Sequence, residues 1–398
     1  MKKKRVLVLG ASILQKPLID KVIEDGYYLG IVDYNENAVC VKQADEFFCV
    51  STTDEKGVYE IAKKFKADAI VTTATDMPVR SIAYSSEKLG LTSISYESSL
   101  KATDKALMIQ SFEKDGVPHP WYFILEKENN YDYNQYSIKF PCVIKPTDSS
   151  GSRGVKLVES IDQLNDAIIY SKGFSRNGSV IIEEYLVGQE ISIEVMCIDG
   201  VSNILAVTKK ETTGSPYFVE LGHSQPANIE QKLMNELRHL VSSTCESIGV
   251  KNGPAHIEVM ITKEGPKVIE MGARMGGDFI TSNLVPLSTG IDMIELMLKI
   301  SLNEKVVLPS KNQKGSAIRY FNINPGKIKS VLRLNDAKNL PGIIEIEICV
   351  KEGDNISEIK NSRDRIGHVI AEGDNEIEAI ENAERAIKMI KIEVENEQ

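Results

Sequence analysis

The stretch Phe140-Pro-Cys-Val-Ile-Lys-Pro-Thr-Asp-Ser-Ser-Gly-Ser-Arg-Gly-Val155 carries the strongest local signal in the chain. A buried-strand pattern delivers Lys145 and then breaks at Pro146 into small residues: Ser149, Ser150, Gly151, Ser152 and Gly154. A loop of this composition can aim backbone N–H groups and hydroxyls at phosphate oxygens, while the lysine supplies a compact positive charge. A flexible turn beside a surface lysine has the same composition, so the stretch alone does not fix a function.

Two further stretches lie downstream. In Val180-Ile-Ile-Glu-Glu-Tyr-Leu-Val-Gly-Gln-Glu190 an apolar strand runs into acids at its end, where backbone groups and carboxylates could hold an adenine edge and ribose hydroxyls. Taken alone, a charged strand exit is the simpler reading. The third stretch is a pair of strands, Pro254-Ala-His-Ile-Glu-Val-Met-Ile-Thr262 and Pro266-Lys-Val-Ile-Glu-Met-Gly-Ala-Arg274. A three-residue loop at Lys263-Glu264-Gly265 would pair Thr262 with Pro266 and set Glu258 opposite Glu270. Like charges at that separation repel. Flanked by the apolar Ile257, Val259, Ile269 and Met271, the pair calls for a cation, and magnesium suits two carboxylates plus phosphates.

Upstream, Arg5–Leu9, Tyr28–Asp33 and Ala69–Thr73 read as strands and Pro17–Asp25 and Asp54–Phe65 as helices, a βαβαβ pattern implying a parallel sheet. The turn Gly10-Ala-Ser-Ile-Leu-Gln-Lys-Pro17 lacks GxGxxG spacing, which argues against a dinucleotide site. Thr103–Gly116 reads as a helix opening a new unit, with Thr103 or Asp104 at its N-cap and Gly116 at its C-cap. Mostly strands follow, interrupted by helices at Ile161–Ser171, Ile229–Ile248 and Asp292–Ile300. From Gly315 onward, strands at Ser316–Phe321 and Ile343–Val350 and a charged helix at Glu376–Ile392 suggest a smaller third domain.

A chain of 398 residues is long enough for two or three domains, and 42% apolar with 26% charged residues is an ordinary globular composition. The net charge of −10 disfavours nucleic acid as a partner. Lys2 to Arg5 reads as a solvated lead-in to the first strand, and the apolar run Val6–Leu9 is too short for a signal peptide or membrane span, so a cytoplasmic protein is expected. The six scattered cysteines read as buried, reduced thiols that form neither a disulfide framework nor a zinc site.

In this order and at these separations, the three signals resemble the ATP-grasp superfamily over nearly the whole chain. The resemblance implies an α/β and α+β multidomain protein: a Rossmann-like domain over 1–102, an ATP-grasp domain over 103–310 with a lid at about 117–186, and a small C-terminal α+β domain over 311–398. It implies ATP with magnesium, or manganese in its place. Lys105 and Lys145 would contact phosphates, and Ser150, Gly151, Ser152 and Gly154 would close over them. Glu183, Tyr185 and Leu186 would border the adenine, Glu190 the ribose, and Glu258 and Glu270 would hold the metal. Arg274 would face a substrate carboxylate and the acyl phosphate it becomes. Many members place Asn where this chain has Gly272, which puts a second magnesium in question.

Phe218–Pro226 and Glu270–Gly277 resemble the carboxylate-amine branch that includes bacilysin-type L-amino-acid ligases. That likeness sets His223 near the substrate, although a structural histidine on a strand reads equally well. Asp278 would lie by the amine pocket, favouring a cationic group, or would cap a helix. The implied reaction joins a small-molecule carboxylate to an amine through an acyl phosphate, releasing ADP and phosphate. Two alternatives stay open: a carboxylase or formate-dependent transferase of the purine-biosynthesis type, and a non-catalytic nucleotide-binding protein, against which both glutamates and both lysines speak. A homodimer is left open.

Overall fold

The computed structural model describes residues 3–127 and 137–395. The N-terminal sheet is parallel in the order Glu46–Cys49, Tyr28–Asp33, Arg5–Leu9, Ala69–Val71. Val6 to Leu9 are fully buried, as expected of a parallel strand covered on both faces. Asp54 caps the helix Glu55–Phe65 by accepting from the Gly57 N–H. The strand Glu46–Cys49 escaped the sequence reading because it is a short, half-buried edge. The helix Val79–Leu89 escaped it too, because its buried face is partly serine: Ser81, Ser85 and Ser86.

The helix Tyr96–Thr103 runs straight into Asp104, whose carboxylate accepts from the N–H groups of Ala106 and Leu107 and so caps Lys105–Asp115. Asp104 rather than Thr103 is therefore the cap, and Gly116 ends the helix with φ of 72°. Beyond it, an antiparallel sheet in the order Tyr122–Leu125, Val180–Glu184, Cys142–Pro146, Lys156–Val158 packs on the helix Ile161–Lys172. Leu125, Ile144, Leu164, Val180 and Ile182 form its core.

The largest element is an eight-stranded sheet. Its order is Gly265–Gly272, Gly253–Thr262, Gln189–Ile198, Val201–Thr212, Glu220–Gln225, Gly315–Tyr320, Gly367–Gly373, Ile343–Ile348. The strand Gly315–Tyr320 pairs with Glu220–Gln225 in register Gln225↔Ser316, so hydrogen bonding continues across residues 310 and 311. The C-terminal residues thus extend the central sheet and add a small one, Asn355–Ile356, Gly326–Leu332 and Lys391–Glu395. The final helix spans Glu376–Met389, shorter than expected, because Ile390 turns extended (φ −70°, ψ 126°) and the alternating Lys-Ile-Glu-Val-Glu forms a strand. Among the described residues no helix is long and apolar enough to cross a membrane. Two of the six cysteines, Cys49 and Cys349, are exposed, against the expectation that all are buried; both lie at or just beyond strand ends.

Candidate active site

The hairpin between Gly253–Thr262 and Gly265–Gly272 turns one residue tighter than its sequence suggested. Thr262 pairs with Gly265, not Pro266, with Gly265 at φ of 119°. A β-bulge between Glu258 and Val259 then takes up the extra residue and restores Glu258 opposite Glu270. The expected carboxylate pair is present, but the loop that was to create it is not.

Neither carboxylate is left to repel the other. Lys105 Nζ donates to Glu270 Oε1 at 2.9 Å and to the Ser149 carbonyl at 2.7 Å, tying the start of its helix to the Gly/Ser loop. Lys210 Nζ donates to Glu258 at 3.0 Å and to Glu190 at 2.6 Å, with Glu220 at 3.6 Å. Burial opposes charge on Lys210, yet Glu258, Glu190 and Glu220 together raise its pKa well above the ordinary lysine range. Conversely, burial would raise the pKa of Glu258, but Lys210 and His256 hold it well below the usual carboxylate range. Lys145 sits 2.6 Å from Glu183 at the end of its strand, and that carboxylate, with Glu270, raises its pKa against the cost of burial. Glu183 thus points its carboxylate at Lys145, which leaves backbone rather than side chain to meet an adenine edge there. Tyr185 and the buried Leu186 follow directly, with the Tyr185 ring 6.2 Å from Phe218.

The Gly/Ser loop folds back on itself. Arg153 Nε donates to the Ser150 carbonyl at 2.9 Å, and Gly151, Ser152 and Gly154 all have positive φ. A cavity of about 440 Å³ opens beside it, bounded by Ser149, Ser150, Lys105, Glu270, Asp76 and Arg80.

Past Glu270 the chain meets partners from distant segments. Arg274 makes a two-pronged pair with Asp76, at 2.8 and 3.1 Å, reaching into the N-terminal domain. Burial opposes both charges, but each partner stabilises the other: the Asp76 pKa is lowered and the Arg274 pKa raised. This pair explains Gly272. A Cβ at position 272 would lie 3.0 Å from Asp76 Oδ1 and 3.2 Å from Arg274 Nε, so a side chain there would have to push the pair back by a few tenths of an ångström. Asp278 is likewise held, by Arg365 of the C-terminal region at 2.7 Å on both prongs, with His223 Nε2 at 3.4 Å. Its pKa is depressed despite burial, and the Arg365 guanidinium lies 3.8 Å over the Tyr320 ring. Asp278 therefore already has a cation from its own chain, and it caps no helix, since the following turn Ile280–Leu284 has Phe279 at its N-cap. His223 is buried on the strand Glu220–Gln225.

Behind the metal-type pair lies a second buried one. His256 Nδ1 is 2.5 Å from Glu194, with His256 Nε2 3.6 Å from Glu258. Burial would lower its pKa, but Glu194 and Glu258 push it up to about 9. A Cβ at Gly276 would lie 2.8 Å from His256 Nδ1, so glycine gives this pair its room.

Sequence reasoning missed Lys210, Asp76, Arg365, Glu194 and His256. Lys210 is next to the exposed Lys209, and local composition does not distinguish them. Asp76 and Arg365 lie 198 and 87 residues from their partners. Only the Gly272 departure hinted that something else fills the space beside Arg274.

Similarity to known proteins follows the same division of the chain. The ATP-grasp domain family matches residues 138–282, and the L-amino acid ligase C-terminal domain 2 family matches 319–395, together more than half of the chain. The L-arginine-specific L-amino acid ligase of Bacillus subtilis is 23% identical over 76% of this chain and 74% of its own length. The alanine–anticapsin ligase of Bacillus subtilis strain 168 is 24% identical over 73% of this chain and 66% of its own length. The chain thus spans about two thirds of the length of the curated relatives it matches. An L-amino acid ligase structure from Bacillus licheniformis superposes with a TM-score of 0.86 at 18% identity, covering all of both chains, and so shares the fold. The chain thus carries an ATP-grasp domain followed by an L-amino acid ligase C-terminal domain.

Proposed function

We propose that the protein is an ADP-forming ligase that phosphorylates a carboxylate and joins it to an amine, with amino acids as the substrate class. The observation that carries this reading is the opposed pair Glu258 and Glu270, each matched by a lysine and joined through Gly272 to an arginine anchored from another domain. Binding a nucleotide alone does not need that arrangement.

The residues present fit magnesium, a hard cation that prefers oxygen ligands. Glu258 and Glu270 would hold it, and it would neutralise charge on the β- and γ-phosphates. Lys145 and Lys105 are placed to bind phosphate oxygens, exchanging Glu183 and Glu270 for the ligand. The Ser149–Gly154 loop would close over the phosphates and exclude water. Arg274, oriented by Asp76, would bind the acceptor carboxylate and stabilise charge on its oxygen as the γ-phosphoryl group arrives. The amine then attacks the acyl carbon, phosphate leaves, and an amide forms. Asp278, His223 and Arg365 would line the amine side. The amino-acid assignment rests on the C-terminal domain family and the printed specificities of the Bacillus relatives.

A screen of amino-acid pairs for phosphate release tests the reading. Release should require ATP, magnesium and both partners, with ADP as co-product. Turnover supported only by bicarbonate or formate would move the protein to the carboxylase or formyl-transfer class.

A further inference from the structure

A cluster of metal-binding side chains lies away from the nucleotide cleft, at the outer edge of the eight-stranded sheet. Glu345 and Glu347 sit two residues apart on the edge strand Ile343–Ile348, which places them on one face. His368, on the neighbouring strand Gly367–Gly373, pairs directly with Glu347. One donor atom from each of the three lies within 4.8 Å of the other two.

The histidine points to a ligand. It is 3% exposed, and its Nε2 has no hydrogen-bond partner among the described residues. Its nearest carboxylate oxygen, Oε1 of Glu345, is 3.8 Å away, and Nδ1 stands 3.8 Å from Glu347. Both separations exceed hydrogen-bond range. A buried ring nitrogen without a partner is costly, and here Nε2 faces the Glu345 carboxylate, which stops short of hydrogen-bond range. The two glutamate side chains are 42% and 46% exposed, so they are free to rotate inward.

We propose that Glu345, Glu347 and His368 form a binding site for a first-row transition-metal dication, with water completing the coordination. One imidazole nitrogen with two carboxylates suits zinc, cobalt or nickel better than magnesium. A tetrahedral ion with bonds of about 2.1 Å holds its ligands roughly 3.4 Å apart, so the three donors, which lie within 4.8 Å of one another, must draw together by up to about an ångström, a movement within reach of the half-exposed glutamate side chains. The ion would pin the edge strand to its neighbour. It would also fix the His368 ring, whose centroid is 4.5 Å from that of Phe279, the residue after Asp278. Through that contact the site reaches the amine side of the cleft.

The test uses the full chain, stripped with a chelator and titrated with zinc, then cobalt, in the absence of nucleotide. One equivalent should bind to the unmodified protein and to the Glu258→Gln/Glu270→Gln double variant. Cobalt should show d–d absorption without a thiolate charge-transfer band. Glu345→Gln/Glu347→Gln, which alters only half-exposed side chains, should weaken binding at least tenfold while leaving the metal-free melting temperature unchanged. His368→Ala should do the same to binding. No binding by the unmodified protein, binding untouched by the edge-strand double variant, a thiolate band, or loss of the equivalent in the Glu258/Glu270 variant would each overturn the site.

Discussion

The two ends of the cleft are built differently. At the phosphate end, Glu258, Glu270, Lys105, Lys145, Glu183 and Glu190 come from strands and a helix start within one stretch of chain, with Lys210 completing the set. At the other end, each charged group is paired with a distant part of the chain: Arg274 with Asp76, and Asp278 with Arg365. The pairs of the first end lie within residues 105–270, with Asp76 and Arg80 bordering the cavity beside them, whereas the pairs of the second form only when three parts of the chain are assembled. On the proposed function, nucleotide chemistry would therefore rest on local motifs, and the choice of acceptor and amine on contacts that the fold must create.

The comparison predicts unequal effects of substitution. Glu270→Gln should reduce turnover by about a thousandfold or more, since it removes one of two metal-type carboxylates and the partner of Lys105. The fold should survive, because Lys105 keeps its bond to the Ser149 carbonyl. Circular dichroism and saturating-magnesium kinetics check both points. Arg274→Ala should slow turnover by roughly a hundredfold while leaving ATP affinity unchanged, as expected of a group acting on developing charge. Asp76→Asn should act in the same direction but less, because it positions Arg274 without touching substrate. Equal losses in ATP affinity would erase the distinction between the two ends.

Arg365→Ala should lower kcat/KM for the amine by about ten- to hundredfold, the equivalent of a charge-assisted hydrogen bond of roughly 1.5–3 kcal/mol. The KM for ATP should not move. A smaller effect concerns pH. His256 titrates near 9 when folded, against 6.5 for an unperturbed imidazole. Its pairing with Glu194 therefore stabilises fully below pH 6.5, and that contribution is lost as pH rises through 9. At most about 3 kcal/mol is involved. Denaturant unfolding at pH 6 and 9.5 should show the decline, and His256→Gln should flatten it.

The lysine strand, the Gly/Ser loop and the opposed glutamates were legible in sequence because their signals are local. The Lys145 strand ends in small residues, and the two glutamates lie on paired strands. Even there the reasoning was only partly right, since the bulge beside Glu258, not loop length, sets the register. Lys210 stayed hidden because an alternating strand presents Lys209 to solvent and Lys210 to the cleft, a difference of one residue. Asp76 and Arg365 were illegible because no local pattern marks which residue of a distant segment will meet them. Gly272 was the exception. In sequence its missing side chain reads as a lost ligand, and the structure adds a steric reason, the room taken by Arg274 and Asp76. The continuity of the large sheet into the C-terminal region was likewise invisible, since strand pairing across residue 310 depends on register rather than composition.

The central claim is that a carboxylate is activated as an acyl phosphate, and hydroxylamine trapping tests it most directly. With ATP, magnesium and a panel of amino acids, hydroxylamine should stand in for the amine and give a hydroxamate, with stoichiometric ADP and phosphate. The Arg274→Ala variant should form it at a correspondingly reduced rate. Release of AMP and pyrophosphate, or no hydroxamate from any carboxylate in the panel, would contradict the account.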